Sequence, residues 1–296
     1  MLDPAVYDLG ASVLTLKSNV TLRGAGASTV ILSHVATGSA VVVKDVSATF
    51  IDLEIQCDAA APICVEVTAD LSSGEALILD NAGVNRTTDA DGTALADAGT
   101  VVLQNYSIIS AGNSVGVQTA LACTNGNLFA TSSRVEARSN VSATGLLSDG
   151  CNTLRFEGGF IYGNFNSGSA VGTAVGLSQV TEGSVTITNS TVRGDSRALR
   201  LNGDSGASIV ADGLQIQGEI EVVAGLVAAA NPIWITNSRV RIGNLGQWLS
   251  LGGSSSKLTI AGCRVSSGTS CDSAGTLKIL DSYFDDGVAL TCTVAR

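Results

Sequence analysis

The sequence predicts an all-β fold: a single-stranded, right-handed parallel β-helix of about eleven coils, with a period near 25 residues. Three observations predict it. One short motif recurs through the chain, the composition suits many turns between strands, and amphipathic helical stretches are absent.

The motif is an apolar residue, a spacer, a turn-forming residue, a short spacer and a second apolar residue. It reads Leu79-Asp80-Asn81-Ala82-Gly83-Val84, then Leu103-Gln104-Asn105-Tyr106-Ser107-Ile108, and recurs around Ile187 to Val192 and Ile235 to Val240. The turn-forming residues of its ten copies are Asp52, Asn81, Asn105, Ser132, Gly158, Asn189, Gly213, Asn237, Gly262 and Asp281, spaced by 29, 24, 27, 26, 31, 24, 24, 25 and 19 residues. Each coil cannot bury its apolar side alone, so stacking neighbours makes one core that grows along an axis. We therefore expect one β-helix domain over residues 1–296, a segment of a longer exported protein.

One coil shows how the motif works. In Val185-Thr186-Ile187 the apolar residues share a face. Asn189 breaks the alternation, because Asn tolerates the left-handed conformation. Ser190 and Val192 then point inward, and Thr191 and Arg193 outward. Asn81, Asn105, Asn189 and Asn237 hold the same corner, where their side chains are expected to bond along the axis.

Composition agrees. There are 34 Gly and only 3 Pro, and 45% of residues are hydrophobic while aromatics are 4%. Charged residues are 14%, against roughly 25% in ordinary soluble domains. Small polar residues keep such a surface in water; self-association or contact with another chain is the other use of it. The net charge is −10, with 13 acids and 4 bases in residues 1–100 and 13 acids and 12 bases in the remainder. That balance disfavours nucleic acid. No run of 18 apolar residues marks a membrane span, and Met1-Leu2-Asp3-Pro4 does not begin a signal peptide.

Of seven cysteines, Cys57 and Cys64 flank a turn at Pro62, while Cys123 and Cys151 are 28 apart and Cys271 and Cys292 are 21 apart, each close to one coil. Strands stacked ~4.8 Å apart suit a disulfide's Cα separation of about 5.5–6 Å. Three disulfides are expected, with Cys263 a buried free thiol in the slot that Ser190, Ser238 and Ser282 fill elsewhere. This points to an oxidising compartment, hence a secreted or cell-surface protein. Seven buried reduced thiols are the alternative.

The coil pattern, with Ser18-Asn19-Val20-Thr21-Leu22-Arg23-Gly24-Ala25-Gly26 followed by Thr29-Val30-Ile31-Leu32, resembles the pectin-lyase-like superfamily of parallel β-helices over nearly the whole chain. That resemblance implies the fold. It leaves function open, since the superfamily includes lyases, hydrolases, phage tailspikes and non-catalytic surface proteins. Of the motifs its polygalacturonase-like members carry, only Asp285-Asp286 is matched. Their Gly-His-Gly is missing, and His34 lies near the other end.

Three candidate sites remain. Glu136, Glu157, Asp285 and Asp286 are carboxylates that a tailspike-type hydrolase could use in pairs; solvated surface acids are the plainer account. On the strand after the corner, outward positions carry Arg134, Phe160, Tyr162, Arg193, Arg239, Arg241, Arg264 and Tyr283. Arg grips carboxylates or sulfates and aromatic rings stack on sugars, so this ribbon suits an acidic glycan; solvated side chains covering a sheet are the alternative. Asp89, Asp91 and Asp97 alternate before and after a Gly turn, which suits calcium or simply a solvated loop. No other cofactor is indicated. The leading expectation is a non-catalytic extracellular or cell-surface β-helix, acting as spacer, adhesin or assembly subunit with acidic-glycan contact. A polysaccharide hydrolase or lyase and a trimeric phage tailspike-like protein are the alternatives.

Overall fold

The computed structural model of the chain describes residues 1–16, 19–26, 28–44, 46–68, 74–112, 116–164, 171–179, 184–202, 208–223, 233–241, 248–252, 257–266, 272–273, 276–285 and 293–295. Among these there is no helix, and every strand pairing is parallel. The chain is a parallel β-solenoid, as the resemblance implies. Each coil supplies one strand to each of three columns. The first column, from Val20–Arg23 to Thr293–Ala295, holds twelve stacked strands among the described residues. The rung count thus differs slightly from the eleven expected, which counted the ten motif copies and the first coil, because the last strand of this column carries no recognisable motif copy.

All ten turn-forming residues adopt positive φ, from 45° at Asp281 to 65° at Gly158 and Gly213. Each follows a first-column strand and redirects the chain into the second column. That column includes Glu54–Cys57, Gly83–Arg86, Ile108–Gly112, Arg134–Arg138 and Phe160–Asn164. The third column includes Ile63–Thr68, Gly92–Asp97 and Val117–Cys123.

Register aligns inward residues of like chemistry. Phe50, Leu79, Leu103, Ala130, Phe156 and Ile187 stack in the first column, and Val84, Ile109, Val135, Ile161 and Val192 in the second. All are buried. The small Ala130 sits between Leu103 and the bulkier Phe156, which keeps the stack filled to ordinary packing density.

The corner differs from expectation in its partners. Asn side chains do not bond one another there. Asn81 donates to Asp52 at 2.8 Å, Asn105 to Asp80 at 2.7 Å, and Asn237 to Asp212 at 2.8 Å. A carboxylate can only accept and an amide NH₂ can only donate, so an Asp on the preceding coil is the simpler complement. Just inside the corner, Ser190 donates to the Thr188 carbonyl at 2.7 Å and accepts from the Gly159 amide at 3.2 Å. Ser238 repeats this with Thr236 and Leu214. Cys263 fills the same slot as a buried free thiol, held protonated by burial.

One copy is out of register. Asn105 and Tyr106 both have positive φ, 53° and 66°, so this corner contains one extra residue. Ile109 rather than Ile108 therefore enters the core, and Ile108 is 47% exposed. A one-residue slip moves a strand's side chains to the opposite face.

Cys57–Cys64 and Cys123–Cys151 are disulfide-bonded, with Cα separations of 5.7 and 5.4 Å. Cys271 and Cys292 lie outside the described residues, as does Asp286.

Candidate functional site

The ribbon expected from alternation is assembled by register into two rows of the second column. One row runs Arg134, Phe160, Thr191, Gln215, Arg239, Arg264, Tyr283. The other runs Glu136, Tyr162, Arg193, Gln217, Arg241. Rungs lie ~4.8 Å apart, so the rows form a continuous strip parallel to the axis.

The cations of this strip differ in their partners. Arg134 and Arg138 both pair with Glu136, which is only 8% exposed, and Arg134 lies 5.3 Å over the Phe160 ring. Arg264 pairs with Asp285 at 3.1 Å and lies 5.7 Å over Tyr283. Arg193 lies 5.2 Å over Tyr162, and its Nε has no hydrogen-bond acceptor among the described residues. The Tyr162 hydroxyl is pushed up from its ordinary pKa by burial first and by Asp195 second, so it stays neutral and able to donate. Arg239 and Arg241 are both exposed and pair with no carboxylate among the described residues. Beside them lie two depressions. One, of about 390 Å³, has Gly213 and Gly262 in its wall with Arg239 and Arg264. A smaller one, of about 110 Å³, lies among Gln217, Arg239 and Arg241. Two neighbouring guanidinium groups without counter-charge, set between glutamine amides, favour an anion with several oxygens.

Of the four carboxylates, the three that are described are not brought together. Glu157 is on Thr153–Glu157 in the first column, paired with Arg155 at 3.0 Å. Glu136 and Asp285 share the second column but are six rungs apart, or about 29 Å at ~4.8 Å per rung, far beyond the ~5–9.5 Å of a glycosidase pair. The three aspartates do not converge either. Asp91 and Asp97 stand at opposite ends of Gly92–Asp97, about 20 Å apart at ~3.3 Å per residue. Asp91 accepts from the Val117 amide, and Asp97 is buried with one oxygen on the Gly99 amide. Among the described residues no group of three acidic, His or Cys side chains is placed to hold a metal ion.

One cluster escaped the sequence reading. Thr191–Asn202 and Gln215–Val223 run through the second and third columns without an intervening loop. Gly194 and Gly218 allow this: a Cβ on Gly194 would meet the Arg197 carbonyl at 1.8 Å, and one on Gly218, at φ 127°, would meet the Gly194 carbonyl at 2.6 Å. Past this edge Arg197 faces Glu219 and Arg200 faces Glu221 across the ladder. Glu221 is ion-paired with both, 2.6 Å from Arg197 and 3.0 Å from Arg200. Glu219 is 4% exposed, and burial, then the neighbouring Glu221, raise its pKa, while Arg197 opposes the shift. A carboxyl leaning toward its acid form beside an ion-paired carboxylate is an arrangement found in acid–base sites. In sequence, Arg197, Arg200, Glu219 and Glu221 gave no motif, because only the loop-free edge brings them together.

No family model matches this sequence, and no curated protein sequence matches it. In structure the chain is similar to the A-module of the mannuronan C-5 epimerase AlgE6 of Azotobacter vinelandii, at 15% identity and a TM-score of 0.35, covering 100% of this chain and 90% of that one. Likeness at this level says nothing of which residues here bind or react. Among the described residues no helix is long and apolar enough to cross a membrane.

Proposed function

We propose that this chain is a non-catalytic extracellular or cell-surface β-helix, a rigid spacer, adhesin or assembly subunit, that grips an acidic polysaccharide along its arginine and aromatic ribbon. The carrying observation is the exposed pair Arg239 and Arg241, without a carboxylate partner among the described residues, in a protein whose net charge is −10. An anionic protein gains nothing in solubility from a strip of the opposite sign. A polyanion running along the axis would meet Arg193, Arg239, Arg241 and Arg264 on successive or near-successive rungs, with Tyr162 and Tyr283 as stacking surfaces. The two disulfides support an oxidising compartment.

The test is retention on immobilised polygalacturonate, alginate and heparin. Arg239→Ala with Arg241→Ala should abolish retention and reduce its salt dependence; unchanged retention removes the proposal. A second reading, a polysaccharide hydrolase or lyase, is favoured by one observation, the buried Glu219 beside Glu221 and two arginines. Incubating the same polysaccharides with the protein, with and without calcium, separates the readings. Shortened chains that persist in length when Glu219→Gln is used would replace the non-catalytic reading.

A further inference from the structure

The corner at Asn105–Tyr106 holds one more residue than the other motif corners. Nine of the ten corners turn with a single positive-φ residue of the motif; here a second one, Tyr106, is added at φ 66°. That region is unfavourable for a residue carrying a large ring. Such strain persists where the surrounding structure enforces it, and it concentrates at binding sites. The ring it places is 78% exposed, and the register slip exposes Ile108 beside it.

Tyr106 and Ile108 stand between two cavities. One, of about 280 Å³, is bounded on its far side by Glu54, Asn85 and Ser110 over the Cβ-less Gly83. The other, of about 290 Å³, is bounded by Arg134 and Phe160 over Gly158 and Gly159, and so joins the start of the ribbon. Both are near the lower end of small-molecule sites, ~300–1,000 Å³, which suits a single ring rather than a peptide or a protein segment. The polar wall of the first is ordered. Asn85 donates to Glu54 at 3.2 Å, Gln56 donates to the same oxygen at 3.0 Å, and Ser110 donates to Asn85 at 3.0 Å. The second Glu54 oxygen has no hydrogen-bond partner among the described residues, and Asn85 keeps one amide hydrogen unused.

We propose that Tyr106 and Ile108 form a subsite for a neutral pyranose ring, which stacks on Tyr106 while Glu54, Asn85 and Ser110 bond its hydroxyl groups. Three features select that ligand. A flat, exposed aromatic ring and an aliphatic neighbour match the apolar face of a sugar. A fixed row of acceptor and amide groups matches its hydroxyls. Glu54, with Asp52 and Asp80 at the adjoining corner, repels an acidic sugar, so this end of the molecule takes uncharged units where the arginine strip takes charged ones. The inference shares with the proposed function only the class of ligand. The subsite is five rungs, about 24 Å, from Arg239, so each can fail alone.

The experiment is isothermal titration with hexasaccharides of neutral glucan, mannan, galactan and xylan, each compared with polygalacturonate hexasaccharide. At least one neutral oligosaccharide should bind the unmodified protein, and Tyr106→Ala should weaken it by about tenfold or more, the loss of one ring stack. Tyr106→Phe should bind nearly as the unmodified protein does. Tyr106→Gly, which relieves the positive-φ strain, should keep or raise the melting temperature while losing binding, which separates recognition from folding. Retention on polygalacturonate should be unaffected by any of the three. Equal binding by Tyr106→Ala and the unmodified protein, or no neutral hexasaccharide bound, overturns the subsite; loss of acidic-glycan retention in Arg239→Ala/Arg241→Ala alone leaves it standing.

Discussion

The same two outward rows are filled in opposite ways at the two ends of the solenoid. On the early rungs several polar side chains bond one another, within a strand or along the axis. Glu54 bonds Gln56 and Asn85, Asn85 bonds Ser110, and His34 lies between Asp58 and Asp8. On the later rungs Arg239 and Arg241 project with no counter-charge among the described residues. Identical backbone geometry thus carries a closed network at one end and an open one at the other. A closed network shows in stability when it is cut, whereas an open one shows in binding. The first should yield large thermal effects on mutation. The second should be thermally silent, since exposed substitutions usually change stability by no more than ~0.5 kcal/mol.

The largest effect that would sharpen this contrast is expected at Arg86. It is fully buried and forms no ion pair with a carboxylate among the described residues. Instead its guanidinium donates to the carbonyls of Ala61 at 2.9 Å, Ala90 at 3.0 Å and Asp91 at 2.9 Å, and to the Gln118 side chain at 2.6 Å. These acceptors hold the turn of residues 87–91 against the preceding coil. Burial pulls the Arg86 pKa down, with Asp91 opposing, yet an arginine remains charged in proteins. Arg86→Ala leaves three acceptors without a donor, since the Ala90 carbonyl still accepts from Gln118 at 2.8 Å; at ~1–3 kcal/mol each before relaxation, a loss of at least about 3 kcal/mol is expected in urea unfolding. Arg239→Ala with Arg241→Ala, measured alongside, should shift the midpoint hardly at all. Comparable losses in both variants would break the comparison.

A middle-sized effect belongs to Asp97. Its carboxyl is buried, with one oxygen on the Gly99 amide and the other without a partner among the described residues. Burial raises its pKa well above the ordinary 3.8, the Gly99 bond opposing. The folded state then holds a proton that the unfolded state releases above pH 3.8. Stability from this group is therefore present at low pH and falls as pH rises from 3.8 through the folded-state value. Asp97→Asn supplies the same amide acceptor without an ionisable proton. It should melt higher than the unmodified protein, by more at pH 8 than at pH 4. A variant that melts lower at pH 8 would show that the second oxygen is used.

Much of this was legible in the chain. Ten turn-forming residues named the corners because a left-handed turn restricts residue type at one position, and period-two alternation then placed eight ribbon residues in two rows. Asp97 could have been read inward by alternation from Leu95, but its place among other aspartates suggested a metal. Tyr106 was concealed because Asn105-Tyr106-Ser107-Ile108 fits the motif as well as the true register does, and Ile108-Ile109 offers an apolar residue for either face. The Arg197, Arg200, Glu219 and Glu221 cluster was not legible, since it depends on two strands turning an edge where most coils insert a loop. Spacing along a solenoid tells which residues stack; it does not tell which loops are missing.

The smallest expected effect tests the closed end of the comparison at its surface. His34 is the only histidine. Its Nδ1 lies 2.5 Å from Asp58 and its Nε2 3.4 Å from Asp8, on the rungs after and before it, and the ring is 39% exposed. The hydrogen bond to Asp58 raises its pKa above 6.5, burial opposes, and the charges of Asp58 and Asp8 add to the rise. A folded-state value above the unfolded one means that the stabilisation is fully present below pH 6.5 and is lost as pH rises through the folded value. Solvent screening keeps the effect small. Because no other imidazole is present, proton resonances of His34 report its titration directly, free of the Asp97 transition. The midpoint should lie above 6.5 and drop in Asp58→Asn, more than in Asp8→Asn, because the shorter contact is the stronger one. An unshifted midpoint in the unmodified protein would show that the early rungs are as open to solvent as the later ones.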